Sequence, residues 1–440
     1  MERCFFQRGA SDFLRMCYYL PSRMSLFFYL ILLVLGLHAT IHCTPPNISE
    51  GKVTTCHLPQ QNATLYKMSS INADFAFNLY RRLTVEIPER NIFFSPVSIA
   101  AALAMLSFAA GSSTQTQILE VLGYNITDTP VAEIQQGFQH LICSLNFPKK
   151  ELELQMGNAL FIGKHLKPLG KFLDDVKTLY ETEVFSTDFS NVSAAQQEIN
   201  CHVQKQTKGK IVNLIQDLKL NTIMVLVNYI YFRAQWANPF HPSKTEESSS
   251  FLVDKTTTVQ VPMMHQTEQY YHLVDMELNC TVLQMDYSKN ALALFVFPKE
   301  GQMEQVEATM SSKILKKWNR LLQKGWIDLF VPKFSISATY DLGTMLMKMG
   351  LKDAFAENAD FLGLTEDNGL KLSYAAHKAV LHLGEEGTED VEVPEVGFLD
   401  QHEITLHPII QFNRTFLLMI LEKSTRSVLF LGKVVDPTEV

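Results

Sequence analysis

The chain has 440 residues, 47% of them hydrophobic and 19% charged, with a formal net charge of −8. This is ordinary globular composition, long enough for one large core, and it excludes a disordered or low-complexity polypeptide. The acidic balance argues against a nucleic-acid partner or attraction to an anionic membrane.

In chain order, the one long apolar run, Leu26 to Leu37, follows Arg23 and Met24 and leads into small residues ending at Cys43. That is the pattern of a secretory signal. Residues 1–43 are expected to be removed, with Met24 as an alternative start. Residues 44–65 are expected to form a flexible segment, and residues 66–440 a single domain of an extracellular protein. Six Asn-X-Ser/Thr sequons follow the signal, as suits a secreted glycoprotein: Asn47, Asn62, Asn125, Asn191, Asn279 and Asn413. The first five are expected to carry glycans. Asn413 lies between apolar runs, where a buried strand position would be closed to modification. Cys56, Cys143, Cys201 and Cys280 remain after processing. Their irregular spacing is neither a disulfide framework nor a zinc pattern, and although an oxidising compartment permits a bridge, a core of this size does not require one.

Ser69 and Ser70 precede Ile71, Phe75, Leu79 and Leu83, which predicts a capped helix with one apolar stripe. Ser95-Pro96 ahead of Val97 to Phe108 predicts a helix buried on every side. Thr114 to Leu122 is expected to stop at Gly123, and a helix opened by Ser311-Ser312 to run through Leu315, Trp318 and Leu322 to Gly325. Strand patterns cover Met224–Phe232, Val282–Tyr287, Ala291–Phe297, Ile327–Ile336, Phe416–Leu421 and Val428–Leu431. The last two are almost continuously apolar and read as a hairpin covered on both faces, its turn emerging at a surface or cleft. No Gly-X-Ser-X-Gly elbow, phosphate loop or paired-carboxylate motif appears, so no catalysis, cofactor or metal is expected. His402-Glu403 with His407 has its histidines five apart rather than four, which is the wrong spacing for a zinc-protease helix.

Asn91-Ile92-Phe93-Phe94-Ser95-Pro96-Val97-Ser98, Val227-Asn228-Tyr229-Ile230 through Trp236, Pro239-Phe240, Glu385-Glu386-Gly387-Thr388-Glu389 and Leu429-Phe430-Leu431-Gly432-Lys433-Val434 resemble the signatures of the serpin family. The resemblance runs from about Ile71 to Pro437. It implies an α+β fold of three β-sheets and eight or nine helices, with an exposed reactive-centre loop near residues 388–405. It places Ser95, Ser98, Asn228 and His377 in a polar cluster beneath the opening of the main sheet, with Trp236 at the upper end. His377 reads as a hydrogen-bonded structural histidine.

An inhibitory serpin inserts this loop into its main sheet as a new strand, which buries alternate side chains. From the hinge residues Gly387, Thr388 and Glu389, that register would bury Asp390, Glu392 and Pro394. A buried unpaired carboxylate costs several kcal/mol, roughly, and proline has no N–H for a central ladder. Insertion is therefore expected to stall after Thr388, which points to a serpin that does not trap proteases.

Within the family, Tyr66-Lys67-Met68-Ser69-Ser70-Ile71-Asn72, Leu315-Lys316-Lys317-Trp318-Asn319-Arg320 and Glu422 to Leu431 are similar to segments of its non-inhibitory hormone carriers. This implies a monomeric plasma carrier of thyroxine and triiodothyronine. The ligand residues it implies are Tyr66, Ser69, Gln284, Leu315, Lys316, Asn319, Lys423 and Arg426. Arginine is the expected residue at 423, and lysine lacks its planar fork. The residues suit such a ligand on chemical grounds. Lys316 and Asn319 share a helix face, and Arg426 supplies a permanent cation for a carboxylate. Proteases that cut the exposed loop near Phe398-Leu399 would be further partners. A protease inhibitor with an unusual hinge and a corticosteroid carrier are the alternatives. A heparin-type site is not expected, because Asn125 to Asn146 contains no Lys or Arg.

Overall fold

The computed structural model describes residues 62–146, 152–388 and 407–439. The signal region, Asn47, Cys56 and the loop residues Glu389, Asp390, Glu392, Pro394 and Phe398-Leu399 lie outside the described residues.

Helix α1 (Asn62–Glu86) begins earlier than its serines suggest. Ser69 and Ser70 are interior helix residues rather than caps, because the apolar stripe of Phe75, Leu79 and Leu83 extends back to the buried Met68. Packing overrides the modest helix propensity of serine. Strand β1 (Ile92–Phe94) leads to α2 (Pro96–Ala109), where Ser95 Oγ accepts from Ser98 N and Pro96 fills the first turn. Of α2, only Phe108 escapes full burial, so it forms the centre of the core. Helix α3 (Ser112–Val121) ends at Gly123, whose φ of +89° is the left-handed stop expected there.

After α4 (Val131–Asn146) come β2 (Leu152–Gly163), α5 (Gly170–Tyr180), β3 (Glu183–Thr187), α6 (Val192–Gln206) and β4 (Met224–Ala234). They are followed by β5 (Glu246–Leu252), β6 (Thr258–Asp275), β7 (Cys280–Asp286), β8 (Ala291–Pro298), α7 (Met303–Thr309) and α8 (Ser312–Leu321). The chain closes with β9 (Gln323–Pro332), β10 (Phe334–Asp341), α9 (Leu342–Met349), β11 (Tyr374–Leu383), β12 (Ile409–Gln411), β13 (Phe416–Glu422) and β14 (Val428–Val434).

The main sheet has five strands in the order β10-β11-β4-β2-β3. The other strands form a nine-stranded ladder, β1-β14-β13-β8-β7-β6-β9-β12, with β5 on β6. The expected second and third sheets are thus continuous. The 18-residue β6 pairs with β5 near its start, with β9 along Met263–His272 and with β7 at its end.

Two boundaries differ from the sequence pattern. The run Ile327–Ile336 is two strands in two sheets: Pro332 has no N–H to continue the ladder, and Lys333 N turns to Pro262 O at 2.8 Å. Helix α8 stops at Leu321 rather than Gly325, and Gly325 pairs with Tyr270 inside β9. The hairpin β13–β14 is buried along its whole length, as its composition demands. Cys143 and Cys201 are each disulfide-bonded and Cys280 is free and buried, so bridging is present that the spacing did not reveal.

Beneath the main sheet's parallel β4–β11 junction, Asn228 Nδ2 donates to Ser98 Oγ (2.7 Å) and Asn158 Oδ1 (2.6 Å). Ser95 N donates to His377 Nε2 at 3.0 Å, and His377 Nδ1 lies 2.6 Å from Asn228 Oδ1. Complete burial lowers the His377 pKa to about 3, which keeps the ring neutral. The neutral ring accepts at Nε2 and donates at Nδ1, so both nitrogens are satisfied.

Candidate functional site

A cavity open to solvent lies where α1, α8, the strands β7 and β8, and the β13–β14 turn converge. Helix α8 presents Ser312, Leu315, Lys316 and Asn319, followed by Leu322 just past its end; these positions share one helix face. Two carboxylates fix the roll of that helix. Asp74 of α1 caps its first turn, accepting from Ser312 N (2.8 Å) and Ser312 Oγ (2.9 Å). On the far side, Asp275 accepts from the indole N–H of the fully buried Trp318 at 2.8 Å and from Lys317 Nζ at 2.9 Å. Burial alone would raise the Asp275 pKa, but the bonds from Trp318 and Lys317 hold it below the ordinary carboxylate value.

Leu292 and Leu294 of β8, Leu421 of β13, and Leu315 and Leu322 give the cavity its apolar walls. Polar groups also line it: Ser69 and Ser70 from α1, Gln284 from β7, Ser312, Lys316 and Asn319 from α8, and Arg426 from the turn. Among the described residues, the side chains of Lys316, Asn319 and Arg426 make no hydrogen bond or ion pair. Arg426 has a φ of +60°, a conformation that costs a non-glycine residue roughly 1–2 kcal/mol.

Of the eight residues singled out from the sequence, Ser69, Gln284, Leu315, Lys316, Asn319 and Arg426 line this one cavity. Tyr66 belongs to α1, and its side chain lies outside the described residues. Lys423 stands outside the cavity wall, its Nζ 3.1 Å from Asp286 Oδ1. The same oxygen accepts from Gln284 Nε2 at 3.1 Å, which turns the Gln284 carbonyl away from Asp286. Sequence reasoning missed Ser70, Ala73, Ser312 and Leu322, although helical spacing from Ser69 and Leu315 would have found the last three. It also missed Leu292, Leu294 and Leu421, which look like core leucines in apolar strands.

The hinge lies at the upper end of the main sheet, where its polar groups are bonded to the backbone around it. Gly387 has a φ of +143°, and a Cβ there would lie 2.1 Å from Ala234 O, so only glycine fits. Thr388 is 3% exposed; its N donates to Ala234 O at 2.9 Å and its Oγ1 accepts from Ala234 N at 2.6 Å. Trp236 donates its N to Glu386 O (2.7 Å) and its indole N–H to Gly384 O (3.0 Å). The next residue, Ala237, donates to Asp286 O at 2.8 Å, so a short run of backbone bonds joins hinge and cavity.

A profile of the family described as Serpin (serine protease inhibitor) matches residues 70–437. Human thyroxine-binding globulin is 81% identical over 417 residues, covering 94% of this chain and 100% of that protein. A solved thyroxine-binding globulin complex with thyroxine aligns with a TM-score of 0.81 at 81% identity, covering 85% of this chain and 100% of the other. Reactive-loop-cleaved human thyroxine-binding globulin aligns at 0.72 with 84% identity, over 74% of this chain and 96% of the other.

Proposed function

The chain belongs to the serpin family, and from that premise we propose that it is an extracellular carrier that binds thyroid hormone reversibly instead of trapping proteases. The observation that carries the reading is the cavity between α1, α8 and the β13–β14 turn. An iodothyronine is a large apolar body with an amino-acid end. Leucine walls take the rings out of water, and the cations of Arg426 and Lys316 meet the carboxylate. Ser69, Gln284 and Asn319 supply the remaining donors and acceptors. Nothing is transformed, so the site needs no nucleophile, cofactor or metal.

The hinge supports the non-inhibitory half of the proposal, because the residues after Thr388 carry charge and proline where a central strand needs small neutral side chains. Secretion and glycosylation belong to the same reading, with residues 1–43 as the signal. Asn125 and Asn191 are exposed, and Asn279 is half-buried. Asn191 Oδ1 caps α6 by accepting from Ala194 N at 3.2 Å, which leaves Nδ2 available for a glycan. Asn413 is half-buried beside β12 and is left out of the glycan set.

Competition at equilibrium tests the assignment. Labelled thyroxine is expected to saturate one site and to be displaced by triiodothyronine but not by cortisol. Incubation with elastase-like and trypsin-like proteases is expected to give loop cleavage without a covalent adduct. Displacement by cortisol alone, or an adduct that survives denaturation, would favour the steroid-carrier or inhibitor reading.

A further inference from the structure

We infer that Glu422, which does not line the cavity, is a positioning residue for the ligand's carboxylate and acts through Arg426; the inference rests on the carrier reading above. Glu422 is the last residue of β13 and only 6% exposed. Both of its carboxylate oxygens are spent on the turn. Oε2 accepts from Thr425 N (2.6 Å) and Thr425 Oγ1 (2.7 Å), while Oε1 accepts from Asn290 Nδ2 and Ser424 Oγ. Its backbone carbonyl accepts from Arg426 N at 2.9 Å, and its N–H donates to Ser427 O at 3.0 Å. Asn290 ties this turn to the neighbouring β7–β8 turn, since Lys423 N donates to Asn290 O at 2.9 Å.

Four donors converge on one side chain, and only a carboxylate offers acceptors at both ends and no donor of its own. A glutamine of the same shape would turn an NH₂ group toward two of those donors. The arrangement holds Arg426 at a φ of +60°, where glycine or asparagine would sit without strain. An arginine kept there is worth its strain if its side chain must reach the cavity. With the turn loosened, Arg426 relaxes toward negative φ and its guanidinium leaves the ligand.

The test compares Glu422→Gln, Arg426→Ala and the double variant, titrated with thyroxine and with its decarboxylated analogue. Glu422→Gln is expected to weaken thyroxine about tenfold, the analogue less than about twofold, and to add nothing on top of Arg426→Ala. Asn290→Ala removes one donor to the same carboxylate and is expected to give a smaller loss of the same pattern, which covers the case where Glu422→Gln folds poorly. Equal losses for both ligands, additive losses in the double variant, or unchanged thyroxine binding by Glu422→Gln would overturn the inference while leaving the carrier reading intact. A wild-type protein that binds neither ligand would overturn both.

Discussion

The hinge and the cavity lie at opposite ends of one short run of backbone bonds, and they spend their polar groups in opposite ways. At the hinge nearly everything is used internally: Thr388, Trp236 and Gly387 are bonded to or pressed against β4 and its continuation, with no room for an added methyl group at Gly387. At the cavity, Lys316, Asn319 and Arg426 are held in place by their elements, yet their side chains remain uncommitted among the described residues. A sealed strand end suits a part that stays put, and a rigid wall with unspent donors suits a part that meets a ligand. Glu386 is the exception at the hinge: it is 9% exposed with Oε1 unpartnered, and burial followed by repulsion from Glu385 raises its pKa.

The largest expected effect lies on the sheet side. The His377 pKa is about 3 in the fold, against 6.5 ordinarily, so the unfolded chain takes up the proton first. The stability tied to the neutral ring is therefore complete above pH 6.5 and lost progressively as pH falls toward 3, on the order of 5 kcal/mol in all. Denaturant melts across that window should show it; flat stability would mean the buried ring accepts a proton without penalty. Next in size is Arg426→Ala, expected to weaken thyroxine binding about 30-fold while leaving the melting temperature nearly unchanged, as for an uncommitted cation. Parallel losses of affinity and stability would instead place Arg426 among the structural residues.

A smaller effect probes the link between the two regions. Thr388→Arg puts a charged side chain at a position that is 3% exposed, and it should displace the hinge from Ala234 and disturb Trp236. Through Ala237 and Asp286 this reaches Gln284, so a severalfold change in thyroxine affinity is expected. Unchanged affinity would show the regions to be independent. The smallest effect is expected for Lys423→Arg, below about twofold, because residue 423 is engaged with Asp286 outside the cavity wall. A large gain would mean that position 423 reaches the ligand after all.

Most of the architecture was legible where one physical signal acted alone. Ser95-Pro96 announced α2, Gly123 marked the end of α3, and the apolar runs of β13 and β14 announced a doubly covered hairpin. The errors fall where neighbouring elements decide. Ser69 and Ser70 look like a cap until Met68 is seen to be buried upstream. The run through Pro332 looks like one strand until it is divided between two sheets, and α8 loses its last turn because β6 is long enough to recruit Gly325. At the site, the face of α8 was readable from helical spacing, whereas Leu292, Leu294 and Leu421 were not. A leucine lining a cavity and one filling a core carry the same letter. The ion pair of Lys423 with Asp286 was also hidden, since nothing local announces a partner so far away in sequence.

A crystal structure of this protein with thyroxine tests the central claim most directly. The account predicts the iodinated rings between Leu292, Leu294, Leu315 and Leu421, with the carboxylate within hydrogen-bonding distance of the Arg426 guanidinium. Hormone bound elsewhere on the molecule, with that cavity empty, would contradict it.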